Sequence, residues 1–455
     1  MGICGTGMAS LAGMLKQEGY SVTGSDHNIY PPMSHFLERL SIPVLEGYEP
    51  KNLNPVPDLV IVGNVITRHN PEAIELSRLH IPYLSMPQAL RTFVMKGKRS
   101  IVISGTHGKT TTSALASWIL ENAGLDPSFM IGGIPNNFQA GLKMGKGPYF
   151  VVEGDEYDVA FFDKSPKFLH YSPWVALLTS IEFDHADIYR DLEHVVDSFR
   201  KLINLVPTHG LLIANGDDPV VIAESERAKC PVVTYGLSAK ADFRATDIRV
   251  DEDYTRLKVY KKGGKEMELS TPLYGRHNIS NLLSAVVLSD YLKLDPKTLQ
   301  KALESFQGVK RRQETKGEKS GVLIVDDFAH HPTSVRETIQ ALKEKYGRRL
   351  IAVFEPRSNS SRRNIFQKEY AASFDGADLI MIPEPPLTEK IPPDKRFSSP
   401  KLVEDLKNKG LTAFYLPNTD LLLEEIITQS RSGDVILIMS NGSFDDLPDR
   451  LLKEL

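Results

Sequence analysis

The chain has 455 residues, 41% hydrophobic and 25% charged, with a formal net charge of −4 at pH 7. That length predicts about three domains of ordinary globular composition, and the acidic balance argues against nucleic acid as a partner. Two cysteines, Cys4 and Cys230, exclude a disulfide framework and suit a reducing compartment. No apolar run reaches the roughly 18 residues of a membrane span, and no leader pattern opens the sequence. The expectation is a cytoplasmic protein with no membrane partner.

The first block, residues 1–98, opens Gly2-Ile3-Cys4-Gly5-Thr6-Gly7-Met8-Ala9-Ser10, followed by helical spacing through Leu11 and Leu15. A strand-like Tyr20–Gly24 then leads to Ser25 and Asp26. Glycine loop, helix, second strand and an acid about 20 residues on make a Rossmann-type opening. Ser10 replaces the third glycine, so a dinucleotide-binding dehydrogenase is one reading rather than a conclusion. The glycine loop also begins at residue 2, which leaves its first strand short or missing. Leu59–Gly63 and Ile81–Leu84 are predicted strands of the same sheet.

The second block, 99–308, carries Gly105-Thr106-His107-Gly108-Lys109-Thr110-Thr111-Thr112 directly after the apolar Ile101–Ile103. A strand opening through such a loop into a helix is a phosphate trap. Glycines let N–H groups converge on phosphate oxygens, Lys109 adds charge, and the Thr110 hydroxyl suits Mg²⁺. The first glycine of the standard loop is replaced by Ile103, so the loop is short. Tyr149–Val152 is predicted to end in Glu153-Gly154-Asp155-Glu156, and Val175–Thr179 to lead to Glu182-Phe183-Asp184-His185. Polar residues at such strand ends face ligands in open α/β sheets. Residues 241–271 read as antiparallel around Gly263-Gly264, and a long helix is expected after Gly275-Arg276-His277-Asn278.

In the third block, 309–455, strands are predicted at Val322–Asp326, Leu350–Phe354, Leu379–Ile382, Ala413–Leu416 and Val435–Met439. The six prolines between Pro383 and Pro400 predict an irregular loop. Asp326-Asp327-Phe328-Ala329-His330-His331-Pro332 puts two acids and two histidines at a strand end, which reads either as a functional cluster or as a helix start. From its chemistry alone, His185 is more readily a core histidine than a ligand, because Mg²⁺ prefers oxygen.

The ordered set of N-terminal glycine loop, GTHGKTTT, acidic strand end, FDHAD, GRHNISN and DDFAHHP resembles the Mur ligases, ATP-dependent amino-acid and peptide ligases of cell-wall synthesis. The resemblance implies a three-domain α/β fold: a Rossmann-like UDP-binding domain, a central P-loop ATPase-type domain of mostly parallel sheet with a small antiparallel sheet, and a Rossmann-like C-terminal domain. It implies that Gly5, Thr6, Gly7, Ser25 and Asp26 bind the UDP-sugar. ATP would be held by Gly105, Thr106, His107, Gly108, Lys109, Thr110, Thr111, Asn278, Asn281, Arg312 and Asp327. Thr110, Glu153 and His185 would bind Mg²⁺, and Lys109, His330, Glu153 and His185 would carry catalysis. No carbamylated lysine is expected at Phe199-Arg200-Lys201. The stretches Pro31–Ser34, Asp155–Lys164, Glu355–Asn359 and Met439–Gly442 resemble the branch that attaches L-alanyl-γ-D-glutamyl-meso-diaminopimelate to UDP-N-acetylmuramate. In that branch Arg357, Ser358 and Asn359 would meet the peptide carboxylates. The partners implied are ATP, UDP-N-acetylmuramate and the tripeptide, acting on a monomer or weak homodimer. A ligase using free L-alanine, and a P-loop ATPase without ligase chemistry, stand beside it.

Overall fold

The computed structural model describes residues 1–31, 33–264 and 266–455; Pro32, within the Pro31–Ser34 stretch, lies outside the described residues. The backbone divides into two compact units, one of residues 1–182, 193–244 and 283–302, the other of 183–192, 245–282 and 303–455.

In the first unit a mostly parallel sheet runs in the order 232–236, 211–215, 175–178, 99–104, 149–154, 128–130, 142–143. Its central strands read Ile101-Val102-Ile103, Val151-Val152 and Val175-Ala176-Leu177-Leu178, all at most 1% exposed. A parallel strand covered on both faces needs such a continuous apolar run rather than alternation. Each of the Val, Leu and Ile side chains among them contributes about 1.5–3 kcal/mol on burial. The helix Lys109–Asn122 follows the central strand, and Ala114, Leu115 and Ala116 on it are fully buried.

Near the N-terminus two parallel pairs form, Gly24–Asp26 with Val44–Glu46 and Val60–Val62 with Tyr83–Ser85. Residues Met1–Ile3 run between them. The Met1 nitrogen donates to the Ile61 carbonyl at 2.9 Å, and Gly2 N–H to the Ser25 carbonyl at 2.8 Å. The expected strand, Tyr20–Gly24 leading to Ser25 and Asp26, is confined to Gly24–Asp26. Gly24 is pressed against Ile3, whose Cδ1 would lie 2.4 Å from a Cβ there, so the ladder forms where the chain can pack closest.

In the second unit the sheet order is 314–319, 322–327, 435–439, 350–354, 379–383, 413–416, parallel except for the first, edge strand. The five predicted strands are present. Glu314–Lys319, sequence ETKGEK, was not predicted, because an edge strand paired on one side carries no apolar pattern. Thr255–Lys261 pairs antiparallel with Glu266–Thr271, burying Leu257 against Leu269, and the expected turn glycine Gly263 has φ +69°. The expected long helix spans Arg276–Tyr291. Within the proline-rich stretch, Pro393–Lys395 forms a short 3₁₀ turn, and the helix Ser399–Asn408 begins before the last proline. Among the described residues no helix is long and apolar enough to cross a membrane.

Candidate functional site

The loop after Arg99–Ser104 is shaped by two glycines in the left-handed region, Gly105 (φ +131°) and Gly108 (φ +80°). A Cβ on Gly105 would sit 2.1 Å from Thr179 Oγ1, so only glycine fits. The neighbouring strand end holds the loop. Thr106 N–H donates to the Ser180 carbonyl at 2.8 Å, His107 N–H to Ser180 Oγ at 3.1 Å, and the Thr179 hydroxyl to the His107 carbonyl. Gly108 caps the helix Lys109–Asn122, whose first-turn N–H groups and positive dipole end suit an anion. Thr110 and Thr111 lie buried in that turn.

Lys109 Nζ donates to the Gly105 carbonyl at 2.6 Å and to both oxygens of Glu156, at 3.1 and 2.9 Å. Burial alone would push its ammonium pKa down, but the charges of Glu156, Asp155 and Glu153 outweigh that and raise it. Lys109 therefore stays a cation. Register sets Glu153 beside Ile103 at the same end of the sheet, where its Oε1 accepts from Gly132 N–H at 3.0 Å. Thr110 and Glu153 offer the hard oxygen donors that Mg²⁺ prefers.

In the N-terminal glycine loop, Gly5 precedes the helix Thr6–Gln17 and Gly7 lies in its first turn. Asp26 accepts from Cys4 N–H at 2.8 Å and from Asn28 N–H at 3.1 Å. Ser25 donates to Glu72 at 2.6 Å. Both side chains are buried, and Asp26 braces the loop through Cys4 N–H.

In the second unit, Asp184 gathers the FDHAD and DDFAHHP motifs. Its Oδ1 accepts from His185 N–H at 2.7 Å and from the Ser360 hydroxyl at 2.7 Å, and its Oδ2 lies 3.7 Å from His330 Nε2. Burial pushes the Asp184 carboxyl up, yet the approach of His330 and the charges of His185, His330 and His331 hold it well below the carboxylate range. The Tyr370 hydroxyl donates to the His330 carbonyl. His331 has a different task, as the cap of the helix Pro332–Tyr346, accepting from Thr333 N–H at 3.3 Å. The helix-start reading of this motif thus falls to His331.

Asn278, Asn281 and Asp327 meet in one buried network. Asn278 Nδ2 donates to Gln313 Oε1 at 2.8 Å, Asn281 Nδ2 to Asn278 Oδ1 at 3.3 Å, and Gln313 N–H to Asp327 Oδ2 at 2.7 Å. Burial raises the Asp327 pKa against the opposing charge of Arg312, whose guanidinium stacks 4.5 Å above the Phe328 ring.

Arg357 follows the strand Leu350–Phe354, its Nη1 3.1 Å from Glu355 Oε1. The Ser440 hydroxyl takes the other Glu355 oxygen. Ser358 is turned inward, its hydroxyl donating to Ser361 Oγ at 2.9 Å, while Asn359 Nδ2 donates to Asp187 Oδ2 at 2.9 Å. Glu156, Asp184, Ser360 and Ser440 were not singled out from the sequence. The acidic run ending at Glu156 was a signal for the first, whereas Ser360 meets Asp184 across 176 residues, and no local pattern announces that.

Family models match along the chain: the Mur ligase family catalytic domain at 1–97, the Mur ligase middle domain at 103–289, and the Mur ligase glutamate ligase domain at 311–442. The UDP-N-acetylmuramate–L-alanyl-γ-D-glutamyl-meso-2,6-diaminoheptandioate ligase of Escherichia coli is 39% identical, over 100% of this chain and 97% of that protein. A UDP-N-acetylmuramate–L-alanine ligase of Geotalea daltonii is 32% identical over 100% and 97%. Among solved structures, a murein peptide ligase from Psychrobacter arcticus superposes with TM-score 0.72 at 34% identity, covering 99% of this chain and 97% of that one. A UDP-N-acetylmuramate-alanine ligase from Thermotoga maritima gives TM-score 0.80 at 24% identity, covering 99% and 97%. The higher backbone score with lower identity reports a shared fold, which does not discriminate between substrates. With the nucleotide loop, the acidic strand end and three family models in order along its length, the chain belongs to the Mur ligase family and is an ATP-dependent ligase.

Proposed function

We propose that the chain joins L-alanyl-γ-D-glutamyl-meso-diaminopimelate to UDP-N-acetylmuramate in peptidoglycan recycling. The observation that carries this reading is full-length identity of 37–39% to two ligases of that name, against 31–33% for relatives named as L-alanine ligases. We assign the domains as 1–98 for the UDP-sugar, 99–308 for ATP and 309–455 for the peptide. We place the reaction in the cytoplasm, where ATP and nucleotide-sugar meet, on a monomer or weak homodimer.

In the first step the lactyl carboxylate of UDP-N-acetylmuramate attacks the γ-phosphorus of ATP. The bond to the bridging oxygen breaks, leaving ADP and an acyl phosphate. The free amine of the peptide then attacks the acyl carbon, loses a proton, and phosphate departs. The protein's share is positioning and charge neutralisation. In this scheme the loop Gly105–Thr111 cradles the β- and γ-phosphates, with Lys109 compensating charge as it moves to the leaving oxygen. His330, beside Asp184, would serve the γ-phosphoryl group, and Asn278, Asn281, Arg312 and Asp327 would take the nucleoside.

Thr110 and Glu153 would hold Mg²⁺ through oxygen, with Glu153 and His185 as ligands to a second ion; bound there, Mg²⁺ would neutralise phosphate-oxygen charge. Gly5, Thr6 and Gly7 take the UDP diphosphate at the helix start, supported by Ser25 and Asp26. Arg357 meets a peptide carboxylate, while Ser358 and Asn359 shape its loop. The test is phosphate release with ATP, UDP-N-acetylmuramate and either the tripeptide or L-alanine. The tripeptide is expected to be strongly preferred, and the reverse preference overturns the proposal.

A further inference from the structure

Three guanidiniums share the loop that follows Leu350–Phe354: Arg357, Arg362 and Arg363. Arg357 is paired with Glu355, but among the described residues Arg362 has no such partner. Its Nε donates to the Ser358 carbonyl at 3.3 Å, Nη1 to the Leu387 carbonyl at 2.6 Å and Nη2 to Asn359 Oδ1 at 2.6 Å. All three acceptors are uncharged. A guanidinium has five N–H donors, so one on Nη1 and one on Nη2 remain for a ligand such as a carboxylate. Arg363 Nε is buried without a hydrogen-bond partner among the described residues. Burial and the like charges of Arg357 and Arg363 lower the Arg362 pKa, with Glu389 and Asp187 opposing. Positive charge is therefore concentrated here at a cost in free energy, as in sites that receive an anion.

The second component is Asp187. Its Oδ2 takes the Asn359 amide, and its Oδ1 makes no hydrogen bond among the described residues. Asp187 lines a cleft of about 400 Å³ together with Phe183, Arg190 and Ile365. Asn359 thus ties one guanidinium and one carboxylate into a fixed pair beside a partly apolar cleft.

We infer that Arg362 and Asp187, spaced by Asn359, are the specificity determinant for the far end of the peptide. They read a zwitterionic amino-acid head on an aliphatic stem, its carboxylate on Arg362 and its ammonium on Asp187. The inference rests on the tripeptide reading above. It names the discriminating feature: a peptide ending in diaminopimelate carries both charges at that end, whereas one ending in lysine carries only the ammonium. The competing role for Arg362 is that of a strut tying its loop to Leu387.

The experiment measures kcat and KM for the full chain, Arg362→Gln, Arg362→Lys and Asp187→Asn. The amine substrates are L-alanyl-γ-D-glutamyl-meso-diaminopimelate, the same peptide ending in L-lysine, and free L-alanine. Wild type should favour the diaminopimelate peptide over the lysine peptide. Arg362→Gln should cut that preference by about 10- to 100-fold, the worth of one charged hydrogen-bonded contact, chiefly through KM, and Arg362→Lys should restore part of it. Asp187→Asn should weaken both peptides together. An equal loss for both peptides in Arg362→Gln makes Arg362 a strut and overturns the inference, as does a wild type indifferent between the peptides. A wild type that uses L-alanine and neither peptide overturns the tripeptide reading instead.

Discussion

Lys109 Nζ lies 2.9 Å from Glu156 Oε2, and that carboxylate is only 2% exposed. The cation expected to face phosphate is thus already engaged by a buried anion. Removing one partner of such a pair strands the other, which costs more than the pair contributes. Lys109→Ala should abolish phosphate release and lower stability by about 3–5 kcal/mol. Lys109→Met with Glu156→Gln should regain most of the stability and none of the turnover. Denaturant midpoints and phosphate release check the two halves separately, and UDP-sugar binding by Lys109→Ala should stay near wild type.

Two acids in the second unit titrate in opposite directions. Burial, with Asp327 and Glu314 nearby, pushes the Asp326 pKa up to about 6 despite Arg311. The folded chain then holds a proton that the unfolded chain releases near pH 4, so Asp326 withdraws stability as pH rises from about 4 to 6. Asp184 is held well below the usual range, so its contribution is present above about pH 4 and is lost as pH falls further. Asp326→Asn should gain about 1–2 kcal/mol on wild type across pH 4–6, and Asp184→Asn should be less sensitive to acid. Urea midpoints at a series of pH values test both.

Gly442 has no side chain for a spatial reason. A Cβ there would fall 2.1 Å from Arg357 Nε. Because the obstacle is the far end of a flexible side chain, Gly442→Ala should displace the guanidinium and leave the core intact. The expected result is a KM for the tripeptide raised about tenfold, the worth of one charged contact, with the melting temperature within a few degrees of wild type. An unchanged KM would remove Arg357 from the peptide site.

Glu153→Gln keeps the oxygen that accepts from Gly132 N–H and deletes the charge. The Mg²⁺ concentration for half-maximal rate should rise about tenfold or more, with UDP-sugar affinity unaffected. Chelation of the metal should stop turnover reversibly. Titrating Mg²⁺ in the rate assay reads both.

What was legible in the sequence was what local chemistry encodes. The buried strands announced themselves as Ile101–Ile103 and Val435–Met439 because a covered parallel strand has no room for polar residues. The nucleotide loop was legible because Gly105 and Gly108 are required by backbone geometry. The polar edge strand Glu314–Lys319 was invisible because only its neighbour specifies it. Asp184 belongs to the FDHAD motif, but its place among His185, His330 and Ser360 depends on segments far apart in sequence. Propensity and spacing do not reach such contacts.

The parallel pairing of Arg99–Ser104 with Tyr149–Gly154 sets Ile103 opposite Glu153 and Ser104 opposite Gly154, where the Ser104 hydroxyl donates to the Gly154 carbonyl at 2.7 Å. Successive residues of a strand point to opposite faces. A slip of one residue would therefore put Gly154 where Glu153 now stands and take the acid away from Ile103, two residues before the Gly105 loop. The hydrogen-bond ladder acts as a reading frame, and chemistry at the sheet's end is written in the frame that the apolar residues Ile101, Val102, Val151 and Val152 keep.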